Sequence, residues 1–173
     1  MQNRQFFLEW WEHFRQQNGI ALRLLALIPE DKLDSRPIGN MRTPKELLVH
    51  MYGTIVRNCA LGITTGTIDE FNEVEKLKTL NTKDALLAFV RACWATADTA
   101  AKTVTDAQLL AKVKTPWGFD MPGWKAGAVI NDEYLHHRGQ LYAYSRALGI
   151  EPPTIWDFEH NDAAFAPAAT AKA

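Results

Sequence analysis

Asn131-Asp132-Glu133-Tyr134-Leu135-His136-His137-Arg138-Gly139-Gln140-Leu141-Tyr142 sets Glu133 and His137 four residues apart. On a helix that spacing stacks two side chains on one face, a turn apart. Projected at about 100° per residue, Ile130, Tyr134, Leu141 and Leu148 fall on the same side as His137. His137 is therefore expected in the middle of a buried stripe, with Glu133 beside it and also turned inward. Asp132 and His136 repeat the spacing but project well off that stripe. The helix is expected over about residues 124–148, closing at Gly149 as a natural C-cap, with Pro152-Pro153 beyond it.

An inward carboxylate is costly unless it is paired, hydrogen-bonded or coordinating a cation. Glu133 and His137 have three ways to meet that cost. They hydrogen-bond each other, Glu133 pairs with an arginine, or the two share a metal ion with a third ligand. The spacing alone does not choose that third ligand among His50, His13 and His160. Around the pair, Gln140 is placed either to line a pocket or to make an interhelical contact. His136 is expected at the surface or supporting the site, Arg138 in a salt bridge on the helix flank, and Gly139 where another helix comes close.

Upstream, Thr43-Pro44-Lys45-Glu46 carries an N-cap, a proline at the first helical position and a capping box, so a helix starts there. Leu48, Met51, Ile55 and Cys59 form its apolar stripe, His50 sits on the flank, and Gly62 to Gly66 is expected to end it. Residues 3–28 repeat Phe7, Trp11, Phe14, Ala21, Leu25 and Ile28 at helical spacing, with Asn18-Gly19 as a kink or break. The aromatic group Phe6, Phe7, Trp10, Trp11 and Phe14 is wider than one stripe. It is either thick core or a face turned to a pocket or a second copy of the chain. Another helix, capped by Asn81 or Thr82, runs through Leu86, Val90, Cys93 and Ala97.

The connections have their own readings. Ile68 to Leu80 is polar and of uncertain local structure. Residues 113–123 suit a short extended hairpin across the bundle end. Ile155, Trp156 and Phe158 are expected to anchor an irregular segment after the last helix. These patterns predict an all-α fold, a four-helix bundle with a short extended or hairpin connection before the last helix. One domain is expected over residues 1–162, with an Ala-rich tail fraying over 163–173.

Composition narrows the function classes. A hydrophobic share of 47% and a charged share of 23% suit a soluble globular chain. With a net charge of −1 and no Lys/Arg run, nucleic acid is not an expected partner. No apolar run approaches the about 20 residues a membrane span needs, and the N-terminus has no signal core, so the expected compartment is the cytoplasm. Cys59 and Cys93 read as small buried hydrophobes.

The string His-His-Arg-Gly-Gln-Leu-Tyr-Ala-Tyr-Ser-Arg-Ala-Leu-Gly-Ile-Glu-Pro-Pro at 136–153 resembles the closing helix of the DinB-like superfamily, which includes the YfiT-like metal-dependent hydrolases. Arg42-Thr43-Pro44-Lys45-Glu46-Leu47-Leu48-Val49-His50-Met51 resembles that family's second helix. The resemblance implies a bundle holding one divalent metal, with His50 and His137 as the first and last ligands. The middle ligand, frequently histidine in the family, falls on Glu133. Two imidazoles and a carboxylate suit zinc or nickel, with iron or manganese also compatible. The resemblance further implies a small-molecule substrate or thiol and a hydrolase or thiol S-transferase activity; the surplus of aromatic residues in the first helix adds the expectation of a homodimer. A non-catalytic metal-binding or dimerising role is the competing expectation.

Overall fold

Four helical rods carry the chain, and the first three start at a side-chain cap that the sequence supplies. The computed structural model describes residues 3–167. Helix α1 (Arg4–Leu27) begins with the Asn3 side chain accepting from Gln5 N. The second rod opens as α2 (Pro44–Val49), where Thr43 and Glu46 form the expected capping box. It continues through a π-helical segment (His50–Arg57) into α3 (Asn58–Thr65). Short α4 (Glu73–Thr79) precedes the third rod, α5 (Lys83–Thr103), capped by Thr82. After α6 (Asp106–Leu110), β1 (Lys112–Val113) and β2 (Met121–Pro122) pair antiparallel, and α7 (Gly123–Ala147) forms the fourth rod. The expected all-α bundle and hairpin connection are both present. No helix among the described residues is long and apolar enough to cross a membrane.

The second rod packs on α5 and α7, and α1 closes the bundle against α7 and α5. Phe7, Trp11, Phe14, Val90, Ala97, Ile130, Tyr134 and Leu141 meet in the core. Most of the aromatic group on α1 is core: Trp11 stacks on Trp94 and Phe14 meets Tyr134 edge-on, while Phe6 stays exposed. Cys59 and Cys93 are buried free thiols, as expected.

Burial pushes the Cys59 thiol up to about 12 and that of Cys93 to about 11. Both should therefore resist iodoacetamide at pH 8 until the chain is unfolded, since the thiolate is the reacting form. The same shifts have a sign for stability. The unfolded thiols ionise near pH 9 and the folded ones do not, so this contribution is full below that pH and lost as pH climbs toward 11–12. Labelling of the native chain at pH 8, followed by mass spectrometry, checks the first outcome.

Several local expectations are corrected. Asn18-Gly19 does not interrupt α1, which runs unbroken. Asn18 is buried, and its Oδ1 accepts from Tyr52 Oη at 2.6 Å and Tyr134 Oη at 3.4 Å, tying three rods together. Gly19 is a notch: a Cβ there would lie 2.5 Å from Phe165 Cβ. Phe165 fills the notch and is buried, so the fraying expected from 163 onward does not hold over 163–167. The rest of that expectation, 168–173, lies outside the described residues. Ile155 and Trp156 are exposed rather than anchoring. The segment is held by Phe158 on the core, by Arg23 against Asp157 at 2.8 Å, and by Asn161 Nδ2 donating to Gln16 O at 2.8 Å. The stop expected over Gly62 to Gly66 falls at the far end of that range. The helix runs on to Thr65, and Gly66 closes it in the left-handed region at φ 84°.

Candidate metal centre

The π-helical segment begins at His50. There the backbone winds more slowly than an α-helix, because its hydrogen bonds skip one further residue. A 100° projection consequently misplaces the side chains that follow. Phe71 lies across the segment: a Cβ on Gly53 would sit 2.4 Å from its ring. From α7, Glu133 and His137 face the same point one turn apart. One ligand atom from each of His50, Glu133 and His137 lies within 4.8 Å of the others. His13 is exposed beside Gln17, and exposed His160 pairs with Asp157, so neither joins the cluster.

The hydrogen bonds around the cluster decide which atoms are free. His50 Nδ1 lies 2.6 Å from Glu73 Oε1. A carboxylate only accepts, so Nδ1 carries the proton and Nε2 presents a lone pair. His137 Nδ1 lies 2.8 Å from Gln140 Oε1, while the Gln140 amide nitrogen approaches His136 Nε2 at 3.1 Å. His137 Nδ1 is thus the donor, and its Nε2 also presents a lone pair. That Nε2 is buried and without a hydrogen-bond partner. Glu133 Oε2 is 3.1 Å away, but outside hydrogen-bond geometry. His50 Nε2 stands 4.0 Å from the same oxygen.

With both rings neutral, three electron-pair donors therefore face one another. Two atoms bound at 2.0–2.1 Å to a tetrahedral cation are about 3.3 Å apart, so the 3.1 Å separation fits a shared ion. His50 Nε2, 4.0 Å from Glu133 Oε2, would have to close by about 0.7 Å to reach the same separation. The rings of His50 and His137 stand at 89° with centroids 5.0 Å apart. The donor set fits a divalent cation.

Desolvation lowers the affinity of His137 for a proton, and the nearby His50 adds to this against the Gln140 hydrogen bond and Glu133. The neutral ring that a metal needs is thereby favoured. Glu133 is not turned into the core as the projection suggests. Its side chain is 43% exposed and borders a cavity of about 470 Å³. Ile55, Met121 and Val129 give this cavity apolar walls, and Trp117 and Phe119 from the β1–β2 loop form its rim.

Glu73 escapes the sequence reading. Its Oε1 accepts from His50 Nδ1 and from Thr54 Oγ1 at 2.5 Å, and its Oε2 faces Arg42 Nη1 at 3.4 Å. Burial alone would raise its carboxyl, but the hydrogen bonds from His50 and Thr54 hold it below the usual carboxylate range. The available signal was Asn72 capping a turn with Glu73 and Glu75 at its start. That seven-residue helix has no apolar stripe, and 23 residues separate Glu73 from His50. Such a carboxylate behind a ligand imidazole fixes ring and tautomer. Glu73→Ala should weaken zinc binding by roughly 10–100-fold, read by competition against a chromogenic chelator.

Gln140 resolves to a role inside the site, as the hydrogen-bond acceptor for His137. His136 is exposed. Gly139 has nothing within 4 Å of a would-be Cβ, so it does not mark a close helix approach. Arg138 makes no flank salt bridge. It is 9% exposed and has no carboxylate partner among the described residues, and its Nη1 is buried without a hydrogen bond. The helix turns it toward the stripe that contains Tyr134 and Tyr142, four residues to either side.

Fold and site together define a four-helix bundle with a His/Glu/His cluster between its second and fourth rods, able to hold a metal ion. The comparisons agree on the fold. The DinB family model matches residues 1–166, and the chain belongs to the DinB family. A crystal structure of a DinB-like protein, YjoA from Bacillus subtilis, superposes with a TM-score of 0.66 at 18% identity, over 83% of this chain and 94% of that one. At that identity the likeness speaks for the fold. No curated protein matches.

Proposed function

We propose that the chain is a small divalent-metal enzyme, a hydrolase or low-molecular-weight-thiol S-transferase, with His50, Glu133 and His137 as ligands. The carrying observation is the convergence of three side chains with metal-ligating atoms, two of which, His50 and Glu133, line an open, apolar-walled cavity. Three protein ligands and an open side are the arrangement of reactive zinc sites rather than closed structural ones. When bound, the cation would lower the pKa of water or of a thiol and polarise an electrophile. Zinc or nickel is the proposed metal; two imidazoles and a carboxylate also accept iron or manganese.

The chain's own groups do the rest. Glu73 and Gln140 keep both Nδ1 atoms protonated, so each imidazole offers Nε2 to the shared point. Half-exposed Glu133 contributes charge at the border between that point and the cavity. Ile55, Met121 and Val129 exclude water from one side, which strengthens electrostatic interactions there. The decisive experiment loads the purified chain with zinc, nickel, manganese and iron in turn. Each preparation is analysed for metal and then assayed against esters, amides and thiol conjugates. One equivalent of metal with turnover supports the proposal. A chain that takes up none of the four metals ends it, and metal uptake with no turnover favours a binding role.

A further inference from the structure

The same cavity has one charged group with no part in the cluster, Lys125. It lies on α7, one turn before Val129 and two before Glu133, so the three share a face. Lys125 is exposed and has no hydrogen-bond or salt-bridge partner among the described residues. Several other lysines are paired, Lys45 with Asp34, Lys102 with Asp98 and Lys112 with Asp120. Opposite Lys125, Trp117 and Phe119 keep 37% and 54% of their surface exposed, with ring centroids 6.2 Å apart. Two aromatic rings held open at a cavity rim are where a ligand's apolar body gains most from leaving water. The Gly118 turn between them, at φ 81°, and the Lys112–Asp120 pair at 2.6 Å brace this loop.

We infer that the molecule acted on has a flat or extended apolar body ending in one anionic group, with the body against Trp117 and Phe119 and the anion at Lys125. This rests on the proposed function only for what happens at the other end. Charge sets the polarity: Lys125 attracts an anion at the far end, while Glu133 offsets part of a bound cation's charge at the cluster end and, in the metal-free chain, repels an anion there. Eight helical residues separate the two, a rise of about 12 Å. The reacting atom and the anion are therefore separated by on the order of 10 Å, longer than a bare carboxylic ester or a single amino acid. A carboxylate, sulfonate or phosphate would meet the same ammonium.

The test uses the full chain, with and without added zinc, and three probes of one length: 4-phenylbutyrate, 4-phenylbutan-1-ol and 4-phenylbutylamine. Binding is followed by amide shifts in heteronuclear NMR, which also report where each probe sits. The carboxylate should bind about fivefold tighter than the alcohol, and the amine weakest, with shifts at residues 117–129. Lys125→Met should remove the carboxylate's advantage and leave alcohol binding unchanged, whereas Trp117→Ala should weaken all three. Arg146→Met, at the separate cavity beside Tyr142, should change nothing. A carboxylate no tighter than the alcohol overturns the inference. So does an advantage that survives Lys125→Met, or shifts that follow Arg146. Failure to take up zinc strikes the metal reading alone, because the preference is read in its absence as well.

Discussion

His137→Ala should leave the purified chain without stoichiometric zinc while its far-UV circular dichroism stays that of the parent. The expected loss of affinity exceeds the roughly 10–100-fold assigned to a supporting hydrogen bond, because a ligand atom itself disappears. His137 Nε2 is the most committed of the three donors: buried, lacking a hydrogen-bond partner, and 3.1 Å from Glu133 Oε2. The fold should tolerate the change. Alanine is the best helix former, and the core around Tyr134, Leu141 and Tyr144 does not depend on the imidazole. Equilibrium dialysis with zinc, followed by elemental analysis, reads the stoichiometry. Undiminished zinc in the variant would place the ion elsewhere and remove the basis of the proposed function.

Two glycines on α7 should respond to alanine in opposite directions. At Gly123 an added Cβ would lie 2.3 Å from the carbonyl oxygen of Gln108, a backbone atom that cannot rotate away. Gly123 N also donates to Ala111 O at 3.0 Å, so α7 starts pinned against α6 and the hairpin. Gly123→Ala should cost about 2–3 kcal/mol, at the upper end for overpacking. For a chain of this size that is a fall in Tm of about 4–12 °C. Gly139 has open space where its Cβ would go, and there alanine should gain roughly 1 kcal/mol of helix propensity and raise Tm by about 2–4 °C. Thermal melts of both variants beside the parent give the comparison. Equal melting temperatures would mean that the α6–α7 junction is looser than the structure shows.

Much of the bundle could be read in advance because its signals are local. Thr43, Pro44 and Glu46 cap a helix by chemistry confined to four residues, and the structure has that capping box. Gly149 lies just past α7 at φ 75°, with Ile150 N donating back to Ser145 O at 2.8 Å. The misreadings have physical causes. Asn18-Gly19 looks like a breaker because propensity counts only the helix itself. The asparagine is instead the acceptor for two tyrosines from other rods, and the glycine is a seat for Phe165. Arg138 looks like a flank residue by charge, yet the helix turns it toward a tyrosine stripe.

What the chain determined alone was the order and length of its rods, the hairpin before the last one, and the Glu133/His137 pair one turn apart. Each is fixed by interactions spanning a few residues, where periodicity and capping chemistry suffice. Only tertiary structure decided the rest. It brought His50, not His13 or His160, to that pair, set Glu73 behind it, and opened a cavity between the second rod and the β1–β2 loop. Those outcomes depend on where a π-helical turn rotates one rod against another. A helical periodicity read at a uniform pitch contains no record of that rotation.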